Sequence, residues 1–160
     1  MSVAFVKEPN EDQVEVLPER ELGQDPNIVT VRGLALIDGE IAELARRLDA
    51  ARAADDKVAM ATINRDLRYF RARRATSQVA EPRADLETVQ FGSLVTIERD
   101  DGREQRFRIV GIDEADPADG LVSFVSPLAR SLVGREVGDT VKAGNGEAEI
   151  VAIGNEPAKA

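Results

Sequence analysis

The sequence predicts an α+β protein: an N-terminal antiparallel α-helical hairpin, packed as a coiled coil, followed by a small antiparallel β domain with one short helix. Three observations carry this. Apolar residues recur at steps of 3 and 4 between residues 30 and 80, alternation with turn dipeptides takes over from residue 89, and Pro82 stands between the two regimes.

Residues 1–28 hold seven acids against Lys7 and Arg20, with Pro9, Pro18 and Pro26 and no sustained apolar period. This composition predicts a disordered acidic arm. The first helix opens after Thr30, a good N-cap because its hydroxyl can accept from an unpaired backbone N–H. Its seam runs through Leu34, Ile37, Ile41, Leu44, Leu48 and Ala51. A second seam through Met60, Ile63, Leu67 and Phe70 ends before Pro82, which cannot continue a helix. Ala53-Ala54-Asp55-Asp56-Lys57 lies near the midpoint, so folding there zips the two narrow seams into a hairpin over residues 29–80. One continuous helix, or two helices packed on the β domain, are the alternatives, because Asp55-Asp56 is a weak breaker.

A linker at 81–88 leads to strands expected at 89–98, 106–112, 121–125, 140–142 and 147–153, within a domain spanning 89–154, and then a tail at 155–160. Asp101-Gly102 and Asn145-Gly146 are hairpin turns by composition, since these residues tolerate positive φ. One short helix is expected from Pro127 to Val133.

Composition removes several classes of function. The 160 residues contain no Cys and no His, which excludes disulfides, the usual zinc sites and His-based general bases. Aromatic residues make up 4%, which argues against large aromatic ligand cages and base-stacking platforms, and the net charge of −9 disfavours bulk attraction to nucleic acid. A protein partner with a basic surface fits better. No apolar run reaches the ~20 residues needed to span a bilayer. The expectation is a cytoplasmic, monomeric protein with no membrane partner and no intrinsic cofactor.

Residues 91–153 carry Ile109-Val110-Gly111, Glu114-Ala115-Asp116, Ser126-Pro127-Leu128-Ala129 leading to Leu132-Val133-Gly134, and Val137-Gly138-Asp139. Together these resemble the FKBP-like C-terminal domain of the GreA/GreB transcript-cleavage factors. Upstream, VTVRGLALIDGEIAELARRL is similar to the opening of that family's hairpin. The Asn-Ala-Glu-Tyr tip of long-armed members is replaced by ARAADDKVAMATINRDLRYFRARR, and residues 33–54 extend only ~33 Å at ~1.5 Å per residue. The resemblance implies RNA polymerase as partner, with the β domain at the rim of its secondary channel and the hairpin inside. Nascent RNA would be met only within the elongation complex.

Asp55 and Asp56 are then candidate tip acids and tentative ligands to a Mg²⁺ shared with the polymerase, since hard carboxylate oxygens suit a cation that activates water for RNA cleavage. Their plainer role is to cap the second helix. Arg65, Arg68, Arg71, Arg73 and Arg74 form a candidate basic face toward RNA or polymerase; alternatively they pair with Asp38, Glu40, Glu43 and Asp49 across the hairpin. Glu114, Asp116, Ser126 and Pro127 are the candidate polymerase-binding residues, or simply a turn between strand and helix. Two functions follow from the resemblance, a cleavage factor and a non-cleaving occupant of the channel. A prolyl isomerase is a remote third, short of the aromatic residues for an apolar cage.

Overall fold

A computed structural model of the protein describes residues 16–158. Helix α1 (Val31–Ala53) and helix α2 (Lys57–Thr76) form the hairpin. Thr30 caps α1 by accepting from the Gly33 N–H at 2.9 Å. Leu44, Leu48 and Ala51 of α1 meet Ile63 and Leu67 of α2, flanked by Ile41, Ala59, Met60 and Phe70. Each fully buried Leu in such a seam contributes roughly 1.5–3 kcal/mol. The reversal takes three residues: Ala54 ends α1, Asp55 adopts φ 51°, and Asp56 caps α2. A left-handed residue stops a helix, and Asp is among the few non-glycine residues that tolerate it. The chain thus turns without Gly or Pro, and the continuous-helix alternative is ruled out.

A two-residue parallel pair closes the base of the hairpin, joining β1 (Ile28–Val29) to β2 (Gln78–Val79). It has no counterpart in the sequence reading. The arm expected to be disordered over 1–28 lies partly outside the described residues. Its remainder, residues 16–27, has no regular secondary structure but runs along α2, with Asn27 buried. The physical reason is local charge and packing: Glu19 meets Arg68, and Arg20 meets Asp66 and the Tyr69 ring.

The β domain is a five-stranded sheet of β3 (Leu94–Arg99), β4 (Glu104–Val110), β5 (Leu121–Ser123), β6 (Thr140–Ala143) and β7 (Gly146–Gly154), in the order β5-β4-β3-β7-β6. Alternation buries one face: Val95 and Ile97 with Ile109, Val141, Ala148 and Ile150. Helix α3 (Pro127–Leu132) covers that face with Ala129 and Leu132. Four details depart from expectation. β5 joins β4 in parallel, because two 3-10 turns, Ile112–Glu114 and Pro117–Asp119, carry the chain back across the sheet. Residues 89–93 form a turn rather than strand. The β6–β7 loop is Gly144-Asn145, with Gly144 at φ 65° supplying the positive angle, and Gly146 is already paired with Ala143. Asn155, expected in the tail, is buried; its amide donates to the carbonyls of Leu86 and Thr88, and it accepts from Ser93.

Candidate functional site

At the far end of the hairpin Asp55 and Asp56 are both exposed. The Asp56 carboxylate accepts from the Ala59 N–H at 3.1 Å, so one of its oxygens serves the helix. Among the described residues, no three or more His, Cys, Asp or Glu side chains gather as a metal site. Two hard carboxylates with one oxygen engaged cannot close a Mg²⁺ shell, although they can add ligands to an ion held elsewhere.

The five arginines of α2 do not share one role. Arg73 is 3% exposed and donates to Asp113 at 2.6 Å and to the Leu22 carbonyl at 3.3 Å. It belongs to the interior and cannot form part of a basic surface. Arg74 pairs with Asp38 across the hairpin at 2.7 Å, which is the pairing alternative realised. Arg68 holds Glu19 of the arm through a forked contact, and Arg65 lies beside Asp66 at 3.2 Å. Arg71 is exposed and makes no ion pair among the described residues. The basic face is therefore reduced to Arg65, Arg68 and Arg71, the first two already paired with Asp66 and Glu19, and the arm covers part of it.

The turn after β4 ties hairpin to sheet. Gly111 lies against the β1 backbone, where a Cβ would come within 2.6 Å of the Ile28 carbonyl oxygen. Next, Asp113 accepts from Tyr69 Oη at 2.5 Å and from Arg73 Nε. Burial, with Asp113 second, pushes the Tyr69 phenol up to about 12. Glu114 accepts from the Thr30 hydroxyl and, at 2.8 Å, from Arg32. Its side chain is 3% exposed, so Glu114 holds the start of α1 and does not face a partner directly. Gly33 leaves room for it, since a Cβ there would stand 3.0 Å from Glu114 Oε1. Arg108 donates to the Gly92 carbonyl at 2.7 Å; burial lowers its pKa and the nearby Glu114 opposes the shift. Asp113, Tyr69 and Asn27 have no place in the sequence expectations, and Gly111 enters there only as the end of Ile109-Val110-Gly111. Asp113's place beside Glu114 was the available signal.

The remaining three residues of the predicted docking set are surface residues or caps. Asp116 is exposed and closes its loop through mutual backbone bonds with Leu121. The Ser126 hydroxyl accepts from the Ala129 N–H, and Pro127 is exposed at the first turn of α3. Val133 and Val137, just beyond α3, are exposed apolar residues.

Residues 84–155 match the family model described as transcription elongation factor GreA/GreB, C-terminal. The chain is 37% identical over 122 residues to transcription elongation factor GreA of Desulfovibrio desulfuricans, covering 72% of this chain and 69% of that one. The chain belongs to the GreA/GreB family. It is also 41% identical over 100 residues to transcription elongation factor GreB of Neisseria meningitidis serogroup B, covering 59% of this chain. It spans 61% of that relative's length. A crystal structure of GreA factor homolog 1 of Thermus thermophilus overlays with a TM-score of 0.40 at 18% identity, covering 81% of this chain and 99% of that one. The GreA/GreB match over 84–155 contains Asp113, Glu114, Asp116, Ser126 and Pro127, whereas the tip acids and the arginines lie before it.

Proposed function

We propose that this GreA/GreB-family chain binds RNA polymerase and regulates elongation, with its β domain at the rim of the secondary channel and its hairpin inside. The observation that carries the reading is a pair of exposed carboxylates at the end of a hairpin whose base is fixed to the β domain. The 23 residues of α1 extend about 34 Å at ~1.5 Å per residue, which sets the depth the tip can reach. Asp55 and the outer oxygen of Asp56 are the groups that would approach a Mg²⁺ in the polymerase. Such an ion would supply activation of water for phosphodiester hydrolysis, and the two carboxylates would add ligand charge to it. Asp116, Ser126 and Pro127 would lie on the docking side, with Glu114 acting behind them by holding α1 in place. Arg65, Arg68 and Arg71 would face nascent RNA within the elongation complex. The protein acts as a monomer in the cytoplasm and needs no cofactor of its own.

The test is an arrested elongation complex incubated with the protein, followed by a gel of RNA lengths. Shortening that is lost in Asp55→Ala/Asp56→Ala while polymerase binding persists supports cleavage through the tip. A second reading, a non-cleaving occupant of the channel, is favoured by the engagement of Asp56 in capping. It predicts retained binding with no shortening, and regulation unchanged in the double variant. Absence of polymerase binding overturns both.

A further inference from the structure

The arm and α2 meet in a way that capping and packing do not require. Glu19 places its carboxylate on Arg68, with Oε1 2.6 Å from one terminal nitrogen and both oxygens 3.0 Å from Nε. The next residue, Arg20, lays its guanidinium 3.9 Å from the centroid of the Tyr69 ring and 5.2 Å from that of Phe70. It also reaches Asp66 at 3.4 Å. Adjacent residues thus set an anion on an arginine and a flat group on an aromatic ring. A nucleotide of single-stranded RNA makes the same two demands, a phosphate for the arginine and a base for the ring. Arg65, Arg68 and Tyr69, at spacings of three and four, share one side of α2, and exposed Arg71 continues the charge along the helix.

The arm is built to lift. Residues 16–22 have no regular secondary structure, and all but Leu17 are exposed even while seated. The anchor begins at Leu22, whose carbonyl accepts from buried Arg73 at 3.3 Å, and continues at Asn27, which bonds Arg73 and Thr76, so the part free to lift is residues 16–21. Within residues 16–21 Glu19 and Glu21 stand against Arg20, so the segment that covers the basic face also carries net negative charge that repels an approaching phosphate backbone.

Resting on the reading of the α2 arginines as an RNA-contacting face, we propose that residues 16–21 are an autoinhibitory strap. In it, Glu19 and Arg20 occupy the phosphate and base positions of a single-stranded RNA site formed by Arg65, Arg68 and Tyr69. RNA displaces the strap, so the face is open only where RNA is held close by, and the free protein does not collect RNA elsewhere.

The test uses the full chain and a short fluorescent single-stranded RNA, read by anisotropy. Glu19→Ala/Arg20→Ala removes one acid and one base, so the net charge stays at −9 and a gain reports the local site. Both side chains are exposed, so the hairpin is retained; a helical circular dichroism melt verifies it. The expected result is about tenfold tighter RNA binding, with the gain abolished when Arg68→Ala is added. Unchanged RNA affinity, or a gain that survives Arg68→Ala, overturns the proposal. Tighter polymerase binding without tighter RNA binding also overturns it and assigns the face to an acidic protein surface. Because the RNA assay contains no polymerase, failure to dock at the secondary channel leaves its result intact.

Discussion

The two ends of the hairpin solve opposite problems. At the tip, three residues reverse the chain, two acids face water, and a single side-chain cap organises the turn. At the base, Arg73, Asp113, Glu114 and Asn27 are drawn into an interior that also contains a strand pair and a close backbone approach at Gly111. Charges at the tip are cheap to change because water solvates whatever replaces them. Charges at the base are committed, because Arg73 and Asp113 would each be buried alone without the other, and the buried Glu114 carboxylate depends on Thr30 and Arg32. The contrast assigns presentation to one end and orientation to the other.

Asp113→Ala should break this contrast most severely. It leaves Arg73 buried without its carboxylate, and the expected loss is about 3–5 kcal/mol in denaturant unfolding. Amide exchange in Ile28–Val29 and Gln78–Val79 should accelerate together, whereas a loss confined to fractions of a kcal/mol would mean that the base tolerates an unpaired charge. Leu67→Ala comes next, at about 2–5 kcal/mol, from a side chain 1% exposed in the hairpin seam. Exchange should rise in α1 and α2 while β3 and β7 stay protected; equal loss in the sheet would show that the two parts unfold as one. At the tip, Asp56→Ala removes only a cap and should cost about 1 kcal/mol, seen as a small drop in the melting midpoint. A base-like penalty there would erase the distinction between the ends.

A further response, confined to alkaline pH, arises at the base. Folding keeps the Tyr69 phenol protonated, with its pKa raised from 10.0 to about 12. Its contribution is therefore complete below pH 10 and is lost as pH rises through about 12, because the unfolded chain releases that proton first. Tyr69→Phe should flatten stability across that alkaline window in pH-dependent melts, and an unchanged slope would remove Tyr69 from the account.

The sequence made one end far more legible than the other. The seam residues, Thr30 and the Ala54–Asp56 reversal follow from spacing and local hydrogen bonding, and the strands from alternation bounded by turn residues. The two-residue strands at the base are too short to show any period. The burial of Arg73 depends on Asp113, 40 residues away, and nothing local distinguishes it from exposed Arg71. Glu114 was singled out from its motif, but its inward direction depends on Thr30 and Arg32, which only the folded chain brings to it. The parallel placement of β5 was hidden for a similar reason, since short 3-10 turns have little signature of their own.

Burial of the Arg73–Asp113 pair also ranks the molecule's contacts by their sensitivity to ionic strength. Both partners are 10% exposed or less, whereas Glu19, Arg68, Asp38 and Arg74 all stand in water. At 0.1 M salt the screening length is about 10 Å, and it shortens as salt rises, but mobile ions act far less on a pair they cannot surround. Added salt will therefore free the arm from α2 well before it loosens the joint that aims the hairpin.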